Sequence, residues 1–326
     1  MDAYFNRDGE RIQTALKLVD LPSEERAALI AEYQKRSKLA FAPQTLRLYE
    51  NVLKGFKIWC ESSGYNSTPP VEPMVLAHYV EHLGGKIKAN TIETRLWAIA
   101  EYHRANFMVS PTRHRLVELA LRGVKRTYGA GVNQAPPLCK REVLTIIDKL
   151  GVSRIETRDK AVLWIASDSW CRASELVAFK VKDLIAQDDG SSLMFVSRSK
   201  TDQYGQGAFA YLSPRGTRAV LRWVEMAKLS LNDPILTKSQ EGAKIASMDP
   251  ATISRIFKRV TERRDVSAHS TRIGGVHDAF RIGCDLSSIM VAGRWTSPEM
   301  PARYGRRILA SQSAAAAVCA AFDETR

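Results

Sequence analysis

A ten-residue segment without helical periodicity divides this chain into two parts. Residues 128–137 contain two glycines and two prolines, which disfavour the interior of helices and strands. On both sides of the segment, apolar residues recur every three or four positions, as they do on one face of a helix. A chain of 326 residues is long enough for two domains. We therefore predict one domain over 1–127, a linker over 128–137 and a second domain over 138–326.

The first domain is predicted to contain only helices. Pro43 precedes a long amphipathic run that carries Leu46, Leu53 and Phe56 on one face. Pro73 begins a shorter helix that ends before two successive glycines. We expect the next helix to be capped at residues 90–91 and to run through Phe107, and a last helix to begin at residues 110–112 and to run through Arg126.

The second domain is predicted to be mostly helical, with a small antiparallel sheet. Three short β-prone runs are separated by polar loops at 187–190 and 202–205, and they cover residues 181–184, 193–196 and 208–212. Helical patterns are predicted at 140–150, 158–170, 214–229, 250–263, 269–283, 288–293, around Tyr304 and at 311–322. The predicted fold class is therefore mainly α.

The composition favours a polyanionic partner. The chain has 48 Lys and Arg residues against 35 Asp and Glu residues, a net charge of +13. Such a chain binds phosphate backbones favourably because neutralised phosphates release their counterions. The charge therefore favours a nucleic-acid-binding protein over one that is basic without consequence.

The sequence contains no recognisable metal-binding, membrane-spanning or secretory signal. The five cysteines are scattered, which predicts reduced and mostly buried thiols in a cytosolic protein. His78 and His82 have a ligand-like spacing but no third ligand near them, so we expect a structural role and no metal or other cofactor. We also expect neither a signal peptide nor a membrane span, because the first residues are polar and no apolar run approaches about 18 residues.

One ordered set of polar residues is suited to attack by a phenol on a phosphodiester. Such a reaction needs an aligned nucleophile, cationic or N–H donors for the non-bridging oxygens, and a proton for the leaving oxygen. The candidate catalytic residues are Arg172, Glu175, Lys200, His269, Arg272, Trp295 and Tyr304.

The residue types suggest distinct roles within this set. Arg172 and Arg272 can each grip phosphate with two parallel hydrogen bonds. His269 lies three residues before Arg272 on the same helical face, where it could donate to a phosphate oxygen or accept the phenol proton. Lys200 could protonate the leaving oxygen. Tyr304 would be the nucleophile.

Each residue also has a simpler interpretation when taken alone. Glu175 could form an ordinary ion pair with Arg172, Arg198 competes with Lys200, and Tyr304 could merely contact phosphate. The hypothesis rests on the ordered set as a whole.

The set and its surroundings resemble a known family. The segment 268–283 resembles the His-x-x-Arg helix of the tyrosine site-specific recombinases, the phage integrase family, and the offsets to Trp295 and Tyr304 match its Cre-like branch. Segment 289–296 resembles the part that holds that Trp. Residues 45–60 and 90–100 are similar to the family's core-binding domain. The resemblance therefore covers nearly the whole chain.

The resemblance implies a two-domain C-shaped clamp, with a helical core-binding domain and a catalytic domain. It implies a bacterial or phage-derived site-specific DNA recombinase, acting in the cytoplasm without metal or ATP. Tyr304 would be joined to a 3′ phosphate. Four protomers would assemble on double-stranded DNA with inverted-repeat sites and exchange strands through a Holliday junction. Residues 311–322 would dock in a neighbouring protomer, although a helix packed on its own domain is the alternative.

The resemblance also implies contacts to DNA in the major groove. The implied contact residues are Arg47, Asn90, Thr94, Arg95, Thr252, Ser254 and Arg255. Ala251 stands where Cre-like members carry a base-reading arginine, so we expect a different target sequence.

Other functions share the fold or the chemistry. They are an integrase, a transposon resolvase, a telomere resolvase, a type IB topoisomerase, and a DNA-binding protein without recombination activity. The last would predict loss of Arg172, Arg272 or Tyr304, and all three are present.

Overall fold

A computed structural model describes most of the chain as two compact units. The described residues are 23–131, 134–197, 206–238 and 245–323. Tertiary contacts divide the chain into Met1–Asn133 and Gln134–Arg326. Each unit has its own apolar core.

The described part of the first unit is helical. Its helices are α1 (Ser23–Ala40), α2 (Pro43–Ser62), α3 (Pro73–Leu83), α4 (Ala89–Ala105) and α5 (Arg115–Tyr128). Helices α2 and α3 begin at a proline, whose missing N–H would have no partner in the first turn in any case. The core contains the fully buried side chains of Phe56, Tyr79, Ile92 and Ile99.

Two predicted helix starts in this unit are wrong. Asn90 is not a cap but lies inside α4, which follows Lys88 in extended backbone and ends at Ala105. The segment after Ser110 forms one short 3-10 turn, and α5 begins separately because the ring of His114 accepts a hydrogen bond from the N–H of Leu116 at 3.3 Å.

His103 is part of the core of the first unit. Its Nδ1 lies 2.7 Å from the Ile99 carbonyl, and its Nε2 accepts a hydrogen bond from the Val71 N–H at 3.1 Å. The ring is fully buried, and burial lowers its pKa. The neutral imidazole therefore satisfies two backbone groups that the core hides from water.

The second unit is built around one buried helix. Its helices are α6 (Lys140–Lys149), α7 (Arg154–Ser169), α8 (Ala173–Leu176), α9 (Pro214–Ala227), α10 (Pro250–Thr261), α11 (Ser270–Arg281), α12 (Leu286–Gly293), α13 (Glu299–Ser311) and α14 (Ala314–Asp323). Helix α7 packs against α6, α9, α10 and α11. It begins four residues before the predicted start because Ser153 and Glu156 form a capping box.

The sheet is three-stranded and antiparallel, in the order β1 (Leu184–Ala186), β2 (Ser192–Val196), β3 (Ala208–Leu212). In β2 and β3, buried residues alternate with more exposed ones, so one face covers the core. The predicted strand at 181–184 is wrong. Residues Val181–Asp183 form a 3-10 turn instead, because the Asp183 carboxylate accepts a hydrogen bond from the Lys180 N–H at 2.8 Å.

The cysteines are all free thiols, but the prediction that most are buried is wrong. Cys60 and Cys171 are buried, whereas Cys139 and Cys284 are half-buried and Cys319 is exposed. None of the helices in the described part of the chain combines the length and the apolar character that crossing a membrane requires.

Candidate active site

Tyr304 and His269 meet at the centre of the site. Nε2 of His269 lies 2.6 Å from the phenol oxygen of Tyr304, and the two rings are arranged edge to face. His269 immediately precedes α11, and Tyr304 lies in α13, which packs against α11. His277 of α11 adds a second tie, since its Nε2 lies 2.9 Å from the Tyr304 carbonyl oxygen. The fold thus holds the phenol against an imidazole.

The pKa values favour a neutral pair in this position. Burial, together with the nearby charges of Arg272 and Arg172, lowers the pKa of His269 to about 4. Burial raises the pKa of Tyr304, while Arg272, Arg172 and Arg303 act in the opposite direction. At neutral pH the histidine is therefore unprotonated and able to accept the phenol proton.

Arg272 is fully buried beside this pair. Its guanidinium donates to the carbonyl oxygens of Trp170 and Gly293, and it stacks on the Trp295 ring with 4.1 Å between Cζ and the ring centroid. Its Nε has no hydrogen-bond partner among the described residues. Burial lowers the pKa of Arg272 to about 10, so it stays cationic at neutral pH.

Arg172 is held by Glu175. Nη1 of Arg172 donates to Oε1 of Glu175 at 2.7 Å, and the Arg172 backbone N–H donates to Oε2 at 2.9 Å. The Arg172 side chain is 21% exposed and that of Glu175 is 2% exposed. Burial would raise the pKa of Glu175, but the hydrogen bonds from Arg172 and the charges of Arg172 and Arg294 outweigh it and lower that pKa. The carboxylate is thus ionised and fixes one edge of the guanidinium.

Trp295 packs between Tyr304 and Arg272. Its ring lies 5.9 Å from that of Tyr304, edge to face, and Arg272 covers it as described above. Helix α11 can approach Leu138 and Trp170 closely because two of its residues are glycines. A Cβ on Gly274 would overlap the Leu138 carbonyl, and one on Gly275 would overlap the Trp170 ring.

Arg294 is a charged residue of this site that the sequence pattern did not reveal. It reaches Glu175 from 119 residues away, and its side chain is 9% exposed. Only its place beside Trp295 hinted at a role, because nothing in sequence separates a buried arginine from a solvated one.

The structure brings together six of the seven predicted catalytic residues. Arg172, Glu175, His269, Arg272, Trp295 and Tyr304 form one linked cluster. Lys200 and its competitor Arg198 lie outside the described residues. Within the ranges that are described, no three His, Cys, Asp or Glu side chains gather into a group that could hold a metal ion.

The residues implied to contact DNA differ in their exposure and in their hydrogen bonds within the protein. Arg47 and Asn90 are exposed, and Thr94 is half-buried and bonded to the Asn90 carbonyl oxygen. Nη1 of Arg95 donates to the Tyr79 hydroxyl at 3.0 Å.

In α10, the three implied contacts also have partners within the protein. Arg255 donates to Thr252 at 3.0 Å. The Ser254 hydroxyl accepts a hydrogen bond from the Ala268 N–H at 3.2 Å, so it holds the residue before His269.

Two curated relatives match most of the chain. An integrase/recombinase XerD homolog from Selenomonas ruminantium is 26% identical over 308 residues, which cover 89% of this chain and 88% of the relative. The recombinase Cre of Escherichia phage P1 is 25% identical over 300 residues, which cover 84% and 87%. By sequence, this chain is similar to these two recombinases. No protein-family model matches the chain.

The tyrosine recombinase fold is confirmed by solved structures. The integrase of transposon Tn1549, in complex with transposon DNA, aligns with a TM-score of 0.61 at 12% identity over 85% of this chain and 94% of that chain. A lambda integrase dimer bound to a core site aligns with a TM-score of 0.55 at 17% identity over 85% and 76%. The predicted fold class, mainly helical with a small antiparallel sheet, is correct.

Proposed function

We propose that this protein is a site-specific DNA recombinase that cleaves and rejoins DNA through a covalent 3′-phosphotyrosyl intermediate. The observation that carries the proposal is the 2.6 Å contact between His269 and Tyr304 with two arginine charges beside it. A structural tyrosine would use the neutral base as a hydrogen-bond partner, but it has no use for two guanidinium groups. A phenol that attacks phosphorus uses all three.

In the cleavage step, the Tyr304 oxygen forms a bond to phosphorus and the bond from phosphorus to the 5′ oxygen breaks. His269 accepts the phenol proton, and the negative charge of the bound phosphate would raise the pKa of the ring as that proton arrives. Arg172 and Arg272 stabilise the charge on the non-bridging oxygens. We assign the proton for the 5′ oxygen to Lys200.

Rejoining is the reverse reaction, with the 5′ hydroxyl of the same strand or of a partner strand as the nucleophile. The phosphotyrosyl bond conserves the energy of the phosphodiester, so rejoining needs no ATP. The arginines and His269 supply the charge stabilisation and proton transfer that a metal ion would otherwise provide.

The proposed partner is double-stranded DNA that carries inverted-repeat recombination sites. The net charge of +13 supports it. So do fold neighbours bound to recombination DNA, which include a XerH recombinase on its difH substrate. Arg47 and Asn90 are the proposed base-reading candidates of the first unit because their side chains are exposed. Arg95 would have to leave Tyr79 in order to reach DNA.

The proposed assembly is a homotetramer that exchanges strands through a Holliday junction. Helix α14 supports it, because none of its described residues is buried, and Val318 and Phe322 are 55% and 73% exposed. The alternative of a helix packed on its own domain does not account for this exposure. We therefore propose that α14 docks on a neighbouring protomer.

A covalent-trapping assay tests the proposed function. The purified protein is mixed with nicked duplexes that contain randomised inverted repeats, without metal or ATP, and denatured adducts are isolated and sequenced. We expect adducts with the wild type and none with Tyr304→Phe, which should still bind DNA.

The same assay separates the main alternative. DNA binding by the wild type without any adduct would refute the enzyme proposal in favour of a DNA-binding protein of the same fold. An adduct with Tyr304→Phe would place the nucleophile elsewhere.

A further inference from the structure

The backbone turn that follows α12 directs the largely buried side chain of Arg294 towards the turn that carries Arg172. Arg294 ends α12 in the left-handed conformation, with φ +54° and ψ 47°. Glycine adopts this conformation more easily than any residue with a Cβ. The arginine side chain nevertheless runs inward and is only 9% exposed.

Apart from the neighbouring Ala292 carbonyl, the acceptors of Arg294 within the described ranges all belong to one short segment, 169–175. Nη1 donates to the Ser169 carbonyl oxygen at 3.1 Å. Nη2 lies 3.2 Å from both Cys171 Sγ and Glu175 Oε2, and 3.4 Å from the Trp170 carbonyl oxygen. This segment joins α7 to α8 and carries Arg172 at its middle. One guanidinium therefore braces the whole turn that presents Arg172.

Glu175 links the two arginines. Its Oε1 accepts from the Arg172 guanidinium, whereas its Oε2 accepts from the Arg172 backbone and from Arg294. Within the described ranges, Arg294 is the one ion-pair partner of Glu175 that lies outside the Arg172 turn. Arg172 contacts both oxygens from within the turn, and Arg294 adds a contact to Oε2 from outside the turn. This outside contact fixes the orientation in which the carboxylate offers Oε1 to Arg172.

We propose that Arg294 is a positioning residue for Arg172 and acts through Glu175. It fixes the carboxylate, and the carboxylate fixes the edge of the Arg172 guanidinium that does not face phosphate. The inference rests on the proposed phosphodiester chemistry, and it adds a residue that touches neither the phosphate nor the nucleophile.

Three variants test this role. Arg294→Met removes the charge and the planar guanidinium but keeps an unbranched apolar stem, and it carries a Cβ at the same backbone position. Arg294→Lys keeps the charge and loses the fork. Arg222→Met removes an exposed arginine of α9 in the same unit and serves as the matched control. Urea unfolding of each variant measures its stability.

The substrate for these variants is the DNA sequence recovered by covalent trapping. Two quantities are measured with it: the DNA affinity, and the single-turnover rate of adduct formation at saturating DNA. We expect Arg294→Met and Arg294→Lys to bind DNA normally but to cleave it about 100-fold more slowly, the scale of a misplaced reacting group. Arg222→Met should cleave like the wild type. A normal cleavage rate in folded Arg294→Lys would overturn the proposal, because a merely structural arginine changes stability alone.

A double-mutant cycle tests the route through Glu175. If Arg294 acts through that carboxylate, Glu175→Gln combined with Arg294→Met should cleave no more slowly than the slower single variant. Losses that multiply would show that Arg294 acts independently of Glu175, and the proposal would then be wrong.

A further measurement separates this inference from the proposed function. Orthovanadate, a phosphate mimic, is titrated into the protein alone and its binding is followed by vanadium NMR. If the wild type forms no adduct with DNA, the recombinase proposal fails, but weaker vanadate binding by Arg294→Lys would still support the positioning role. Equal affinity for the two proteins, or no binding by either, would overturn it.

Discussion

The half-buried imidazole of His269 should make folding stability depend on pH. The pKa of this ring is about 4 in the folded protein, against an ordinary value of 6.5. Between these values the unfolded chain binds a proton that the folded protein does not. Stability is therefore lost as the pH falls below 6.5, and the loss is complete near pH 4.

The size of the effect follows from the shift. At about 1.36 kcal/mol per pKa unit, the full contribution is about 3 kcal/mol, and about 2 kcal/mol of it is lost between about pH 7 and about pH 5. His103 also has a lowered pKa because it is buried, so it adds its own loss of stability as the pH falls below the ordinary histidine value. A variant that removes only His269 separates the two.

Urea unfolding of the wild type and of His269→Gln at the two pH values provides the assay. The glutamine amide can still reach the Tyr304 hydroxyl, and the His103 contribution cancels in the difference. We expect the wild type to lose about 2 kcal/mol more than the variant on acidification. The same pH dependence in both proteins would refute the reasoning, since it would mean that the ring titrates as if it were in water.

Three other perturbations have directions set by the structure. Gly274→Ala should lower the free energy of unfolding by about 1–3 kcal/mol, because its Cβ would overlap the Leu138 carbonyl. Gly123→Ala is the control, because a Cβ there meets open space and should not destabilise α5. Urea unfolding of the two variants compares them. Asp159→Ala should cost about 3–5 kcal/mol, because this fully buried carboxylate pairs with two arginines that would lose it, and a loss under about 1 kcal/mol in the same assay would contradict that account. Arg272→Ala should raise the activation free energy of single-turnover adduct formation by at least about 3 kcal/mol. Near-normal cleavage by this variant would remove Arg272 from the proposed catalytic residues.

The fold could be predicted where local signals decide it. Prolines at the first helical position gave the starts of α2, α3, α9 and α10, because proline fixes φ and lacks the N–H that has no partner there. The β-prone run that follows the polar loop at 202–205 gave β3. Prediction failed at 181–184, where a side-chain hydrogen bond from the Lys180 N–H to Asp183 closes a turn in a run of β-prone residues.

The candidate site could be predicted only in part, since the order of residues carries chemistry but not contacts. The types and offsets of His269, Arg272 and Tyr304 indicated a phenol and a base near a phosphate. The family resemblance implied DNA contacts for Ser254 and Arg95. In the structure Ser254 holds the Ala268 backbone and Arg95 holds the Tyr79 hydroxyl. These partners are distant in sequence, so no local sequence pattern predicts the contacts.

The sequence by itself determined the mainly helical class, the basic charge and the residue types of the candidate site. These properties follow from periodicity, proline and glycine placement and side-chain chemistry, which are local. Only the tertiary structure decided that the ring of His269 is neutral, that Arg272 is fully buried and that Arg294 reaches Glu175. Burial and pKa depend on which distant groups exclude water from a side chain, and the packing of the whole unit sets that.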